Sequence, residues 1–182
     1  MSNFVNTIES LGDNVVADSI VDRSITVFND DLVVSLGSSA FYSCSALTSV
    51  NLPNVTSISS SAFYGCSKLE SVNLPNVTSL GSSAFYSCSA LTSVNLPKVT
   101  SIANNAFSNC SVLTTLILRS STVCTLSGTS AFNNAPFAVG KAGGTVYVPQ
   151  ALIESYQTAT NWKTLYNAGT CNFVAIEGSD YE

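Results

Sequence analysis

Histidine is absent from all 182 residues. That removes Ser-His-Asp and Cys-His nucleophilic arrangements outright. Charge is scarce as well: Asp, Glu, Lys and Arg make up 9% of the chain, against roughly a quarter in ordinary soluble proteins. The surface must therefore be built largely from Ser, Thr and Asn, with few ion pairs. Only 6 Lys and Arg stand against 11 Asp and Glu, for a net charge of -5. There is no basic stripe, so the electrostatic footprint of nucleic-acid binding is missing. No apolar run reaches the roughly 18 residues of a membrane-spanning helix, and no membrane insertion is expected. The start, MSNFVNTIESLGDNVV, lacks the basic n-region and unbroken apolar h-region of a secretory signal. A chain with this start is expected to reach an exterior by lysis, by assembly into a particle, or after removal of a leader.

What charge there is lies at the ends. Residues 1–35 hold Glu9, Asp13, Asp18, Asp22, Asp30 and Asp31 with one base, Arg23. Residues 36–118 hold only Lys68, Glu70 and Lys98. Chemically distinct ends are expected of caps or attachment segments.

The middle of the chain is repetitive. Ser35 to Pro53 is identical to Ser79 to Pro97, and SSAFYGCSKLESVNLP between them is a near copy. Phe41, Phe63, Phe85 and Phe107 recur every 22 residues, as do Cys44, Cys66, Cys88 and Cys110. A fifth, irregular copy follows, with Phe132 arriving 25 residues after Phe107. A fixed period of this length marks a solenoid. Within each unit, LTSVNLP sets Leu47, Val50 and Leu52 inward, and VTSI sets Val55 and Ile58 inward. Alternation with β-branched residues predicts two short strands per unit. The link SSSAFYGC, with Ser before Ala-Phe, predicts one helical turn with a Ser N-cap. One unit has roughly five large apolar side chains, worth about 1.5 to 3 kcal/mol each when buried. Ordering its residues costs about 1.5 kcal/mol apiece, so a unit folds only when stacked on its neighbours. The expected fold is an α/β repeat: a right-handed solenoid with parallel sheets and about five turns of 22 residues. Its hand follows the rule for parallel crossovers.

The pattern L-x-x-V-x-L-P, V-x-x-I, A-F-x-x-C is carried by Leu47, Val50, Leu52, Pro53, Val55, Ile58, Ala62, Phe63 and Cys66 and their equivalents. It resembles the BspA-type leucine-rich repeat over about residues 25–149. The segment TVYVPQALIESYQTATNWKTLY resembles the closing part of such arrays, with Val146 to Val148 as a last strand and Ala151 to Tyr166 as a helical cap. The resemblance implies a non-enzymatic adhesion or recognition protein at a bacterial surface, or a phage or prophage structural protein. The site expected for it is a virion or extracellular surface, after residence in the cytoplasm of the producing cell before assembly.

The domain reading is a helical cap or docking segment at 1–24, the solenoid at 25–149, a C-terminal cap at 150–177 and a flexible tail at 178–182. Phe4, Ile8, Leu11 and Val15 stand at helical spacing in the first segment, which could cover the first turn or mediate self-association or contact with other virion proteins. SITVFNDDLVVSL predicts a first strand pair with a turn at Asn29-Asp30. Trp162 is expected to pack over the last turn.

Four cysteines at one position of successive turns invite a metal or redox reading. Stacked side chains would keep their Cβ atoms near the strand spacing of about 4.8 Å, longer than the about 3.8 Å that a disulfide favours. The fifth copy has Ala135 at the Cys position; a small apolar slot accepts Ala, whereas a redox or metal site does not. Buried free thiols are therefore expected, and no cofactor or metal. A bridge between Cys124 and Cys171, outside the row, is left open. Asp30-Asp31 are adjacent and predict a turn, not an acid/base pair. GKAGG at 140–144 lacks the Ser or Thr of a phosphate loop. The sequons at Asn54 and Asn76 come with the repeat consensus.

Recognition has better candidates. Tyr42, Tyr64 and Tyr86 follow the buried Phe and should form an aromatic ridge. Ser49 and Asn51, Ser71 and Asn73, and Ser93 and Asn95 should point outward from the strands. Uncharged rows of this kind suit adaptable contacts with a protein or glycan on a cell surface. They serve equally as a structural ladder with no ligand.

Overall fold

The computed structural model describes residues 23–182. The cap or docking segment expected at 1–24 lies outside them, apart from its last two residues. Within the described chain, every strand pairing is parallel. The short pieces seen in the sequence become two stacks of strands. On one side run β1 (Val27–Asn29), β2 (Ser49–Asn51) and β4 (Ser71–Asn73), then β6 (Ser93–Asn95), β8 (Thr115–Ile117), β10 (Gly144–Val148) and β11 (Cys171–Ala175). On the other run β3 (Ser57–Ile58), β5 (Ser79–Leu80), β7 (Ser101–Ile102) and β9 (Thr125–Leu126), with Leu36 bridged to Ile58 ahead of them. Register follows the repeat: Val27 pairs Ser49, Ser49 pairs Ser71, and Ser57 pairs Ser79.

The first stack is two sheets, β1-β2-β4 and β6-β8-β10-β11. At the break between β4 and β6, Val72 is only partly buried, although its equivalents Val50 and Val94 are buried. The same copy carries Lys68 and Glu70 where the copies on either side have Ala and Thr.

Between the stacks lies one continuous core. Leu47, Leu52, Val55, Ala62, Phe63, Cys66 and Leu69 are all at or near zero exposure, and their equivalents repeat this turn after turn. Stacking places like on like. The Phe rings lie 5.1, 5.1, 5.5 and 5.7 Å apart from Phe41 to Phe132, within 8° of parallel. Phe28 closes the near end edge-on against Phe41, and Phe137 and Trp162 close the far end against Phe132. Each fully buried ring contributes about 1.5 to 3 kcal/mol by burial, and each stacked pair about 0.5 to 1.5 kcal/mol more.

The link SSSAFYGC does not form the helical turn expected of it. Ser39, Ser61, Ser83 and Asn105 have φ near +60°, and so do Ser43, Ser87 and Asn109 four residues on, with Gly65 at +74°. A left-handed residue at every fourth position breaks a helix. The backbone N–H groups then alternate. Ala62, Tyr64 and Cys66 donate within their own turn, to Ser59, Ser61 and Phe63, whereas Ser61, Phe63 and Gly65 donate to Ser82, Ala84 and Tyr86 of the next. Ser had suggested a cap from its side chain; here it is chosen for its place in a string of tight turns.

The C-terminal cap is two short helices, α1 (Ile153–Thr158) and α2 (Trp162–Asn167), not one. Asn161, with φ +69°, separates them. β11 was not expected: CNFVA continues past the helices and pairs with β10 over five residues. Gly144 opens β10 directly against the Phe137 ring, where a Cβ would stand 2.5 Å from ring carbon atoms. Residues 178–182, expected as a flexible tail, fold back on the body. The Arg119 guanidinium donates to the Tyr181 carbonyl oxygen, and the Tyr181 and Tyr147 rings are 4.6 Å apart.

Candidate recognition surface

Two outward rows follow from this stacking. Tyr42, Tyr64 and Tyr86 lie on the turn segment after the second strand stack, each next to a core Phe. Their rings stack at 4.9 and 4.6 Å with interplanar angles of 9° and 5°. Tyr42 is exposed, whereas Tyr64, with a ring on each face, and Tyr86 are half-buried. Desolvation, the neighbouring phenols of Tyr86 and Tyr42 and a side-chain hydrogen bond with Tyr86 push the Tyr64 hydroxyl above its ordinary pKa. The row ends at Ser108, which is buried and donates to the Ser130 carbonyl.

The second row lies on the first strand stack. Ser71, Asn73, Ser93 and Asn95 are exposed, and Ser49 and Asn51 are half-buried. Asn73 donates its amide to the Asn51 side-chain oxygen at 2.6 Å. The structure therefore places every expected outward residue outside the core, but on two separate faces.

Other polar side chains point out and are already engaged. Asn54 donates to the Asp31 carbonyl, Asn76 to the Pro53 carbonyl, and Lys98 to the Asn76 side-chain oxygen. Thr48, Thr78, Thr100 and Thr125 each donate a hydroxyl to a carbonyl of the preceding turn. The sequence marks Asn54 and Asn76 only as sequons of the repeat consensus; that they, Lys98, Thr78 and Thr100 tie each turn to the one before it emerges from the stacking. Among the described residues, no buried side-chain nitrogen or oxygen lacks a partner.

The cysteine row belongs to the core. Cys66, Cys88 and Cys110 donate their thiols to the carbonyls of Phe41, Phe63 and Phe85 at 3.0 to 3.2 Å. Burial pushes Cys66 and Cys110 up to about 12 and Cys44 to about 11. A thiol held protonated at neutral pH is a poor nucleophile and a poor metal ligand. Ala135 fills the same slot in the fifth copy, fully buried, with its N–H on Phe132 as the Cys110 N–H is on Phe107. Cys124 and Cys171 are buried free thiols. Asp30 accepts the N–H groups of Leu32 and Val33 with one carboxylate oxygen, as a turn residue does.

At the far end the cap closes the last turn's backbone. Trp162, fully buried as expected, donates Nε1–H to the Cys124 carbonyl at 2.7 Å. The Tyr156 hydroxyl accepts the Cys124 N–H at 2.9 Å, and Asn161 donates to the Leu126 carbonyl at 2.6 Å. Among the described residues, no helix is long and apolar enough to cross a membrane.

Residues 34–139 match the model of the BspA type leucine rich repeat region, in six copies. A leucine rich repeat protein of T. pallidum is 30% identical over 63% of this chain and 52% of its own, with a TM-score of 0.54. A leucine-rich repeat protein from Bacteroides ovatus is 24% identical over 92% of this chain and 45% of its own, with a TM-score of 0.59. The chain thus spans about half the length of the solved proteins it resembles. No curated protein matches it significantly.

Proposed function

We propose, from the premise that this chain belongs to the BspA-type leucine-rich repeat family, that it is a non-enzymatic recognition module. It presents its outward rows to a protein or glycan on a cell surface, and is carried by a phage-type virion or by a bacterial exterior. One observation carries the reading: identical uncharged side chains recur along the molecule about one strand spacing apart, as in the Tyr stack at 4.9 and 4.6 Å. A uniform row favours repeated weak contacts, whose joint strength exceeds that of any one. The absence of histidine and the elevated thiol pKa values leave little for nucleophilic chemistry to use.

The test is saturable binding of the purified protein to bacterial and mammalian cells and to glycan and protein arrays. A Tyr64→Ala, Tyr86→Ala double variant should lose most of it, with Tm lowered by only a few degrees. If wild type binds nothing, or if neither this variant nor Asn73→Ala with Asn95→Ala weakens binding, the recognition reading is abandoned.

A second reading, a structural spacer or assembly protein, draws on the side chains that already spend their donors on the neighbouring turn: Asn73 on Asn51, Asn76 on Pro53, Thr100 on Thr78. Function would then reside at the two ends. Deleting residues 1–24 without changing oligomeric state or assembly would count against it.

A further inference from the structure

The bonds that tie one copy to the next fail at a single place on the first strand stack. At the neighbouring boundaries the same flanking bonds recur. Thr48, Glu70 and Thr114 donate their N–H groups to the carbonyls of Thr26, Thr48 and Thr92. Asp30, Leu52 and Leu96 donate theirs to Asn51, Asn73 and Ile117. Between β4 and β6 these bonds are missing among the described residues: Thr92 and Ser93 do not reach the Glu70 carbonyl, and Leu74 does not reach that of Asn95. The strands themselves do not pair. Ser71, Asn73, Ser93 and Asn95, on the two sides of this seam, are exposed, where Ser49, Asn51 and Thr115 are half-buried. The same two copies are closed elsewhere. On the turn segment Ser61, Phe63 and Gly65 donate to Ser82, Ala84 and Tyr86 at 2.8 to 2.9 Å, and the Tyr64 and Tyr86 rings stack at 4.6 Å. On the second stack Ser79 pairs with Ser101, and the Thr100 N–H meets the Thr78 carbonyl at 2.9 Å.

We infer that the β4–β6 seam is a hinge set by Lys68 and Glu70, at which the solenoid bends by opening its Ser/Asn face while the turn segment holds as the pivot. The hinge stands whether or not the outward rows bind a ligand. The sequence marks the same place. Residues 36–118 carry three charged side chains, and two of them, Lys68 and Glu70, lead directly into β4. The copies on either side have Ala46 and Thr48, and Ala90 and Thr92. Thr is enriched in strands and Glu depleted, so Glu70 weakens a pairing that its neighbours keep. A strand edge that opens is also a template for another chain, and charged side chains beside it, Lys above all, keep such a chain off. The paired boundaries of the middle copies carry no such charges. Each copy of a solenoid holds only its neighbours, so one weakened boundary lets the copies before it move as a unit against those after it. The two outward rows then respond differently. The Tyr row keeps its 4.6 Å stack across the boundary. In the Ser/Asn row Asn73 is bonded to Asn51, but among the described residues no side-chain bond joins Asn95 to Asn73. Bending therefore respaces one row and leaves the other unchanged.

The experiment joins amide hydrogen exchange, read by NMR on the full chain, to a distance measurement. Normalised to their intrinsic rates, the amides of Leu74, Thr92 and Ser93 should exchange roughly a hundredfold or more faster than their equivalents Leu96, Thr114 and Thr115, because protection runs from almost none at open groups to the global stability in the core. Spin labels on Val27→Cys and Val174→Cys, exposed residues of the terminal strands β1 and β11, should give a broad distance distribution, with the native thiols buried away from the label. Lys68→Ala with Glu70→Thr gives this copy the residues of its neighbours. It should slow the three amides to the level of their equivalents and narrow the distribution. The converse pair, Ala90→Lys with Thr92→Glu, should open the β6–β8 boundary and speed exchange at Leu96, Thr114 and Thr115. Seam amides as protected as their equivalents, a narrow distribution in the native sequence, or a seam that stays open after Lys68→Ala with Glu70→Thr overturns the inference.

Discussion

The left-handed serines make the strongest quantitative prediction. Ser43 and Ser87 sit at φ +57° and +59°, where the second copy has Gly65 at +74°. An L-residue held there carries roughly 1 to 2 kcal/mol of steric cost. Replacement by Gly removes that cost but gives back about 0.4 to 1 kcal/mol through the freer unfolded chain. The net gain expected for Ser43→Gly or Ser87→Gly is about 0.5 to 1 kcal/mol each. The two sites are two turns apart, about 10 Å, so the gains should nearly add. At this chain length 1 kcal/mol moves Tm by about 2 to 4 °C, and the double variant should melt about 2 to 8 °C higher by calorimetry. The reverse substitution sharpens the test. A Cβ on Gly65 would meet the Ser43 Oγ at 3.3 Å, so Gly65→Ser gains the conformational cost with a tight contact added, and should lower Tm by a few degrees. If Gly at 43 and 87 destabilises, or if Ser at 65 stabilises, the turns are not held as described and the account of this segment is wrong.

Three further outcomes follow from the core and the cap. Phe85→Ala, which opens a cavity between two stacked rings, should cost about 3 to 5 kcal/mol in denaturant unfolding; Tyr64→Ala, on the half-buried row, should cost far less. Trp162→Phe leaves the buried Cys124 carbonyl without its donor and should cost about 1 to 3 kcal/mol; Tyr156→Phe strands the Cys124 N–H in the same way. The thiols should resist iodoacetamide in the native protein at pH 8 and all six should react once it is unfolded. Their folded pKa values, about 11 for Cys44 and about 12 for Cys66 and Cys110, lie above the ordinary thiol value. The folded state thus holds protons that the unfolded state releases above about pH 9, so stability should be flat near neutrality and fall as pH rises from 9 toward 12. Native labelling at pH 8, or alkaline melts as high as neutral ones, would refute this burial.

The solenoid was legible because repetition multiplies a weak signal. Leu47, Val50 and Leu52 alone predict little; the same letters at the same step in several copies predict a stacked strand. The cysteine row was readable for a related reason, since Ala135 in the fifth copy shows what the slot tolerates. The turn segment was misread because the run of Ser before Ala-Phe, as in SSSAFYGC, resembles a helix cap, and the backbone role of Ser39 and Ser43 shows only beside Asn105 and Gly65, the residues that ordinarily take positive φ. β11 was missed because CNFVA follows the end of the repeat and alternates too briefly to stand out. The recognition rows were only half legible. Which side chains face outward follows from the period, but that Tyr64 would have both faces covered, or that Asn76 would be tied to Pro53, depends on the distance between turns.

The far-end cap has a consequence for the history of the chain. Trp162, Tyr156 and Asn161 bind the backbone of Cys124 and Leu126 alone; nothing in that lid registers how many turns precede it. A unit of 22 residues could be gained or lost upstream, as the verbatim copies at 35–53 and 79–97 suggest has happened, without any change to the lid. Reach would then be an inherited variable, adjustable by unequal recombination in whole steps, and close relatives should differ in the number of their middle copies while keeping the same final sixty residues or so.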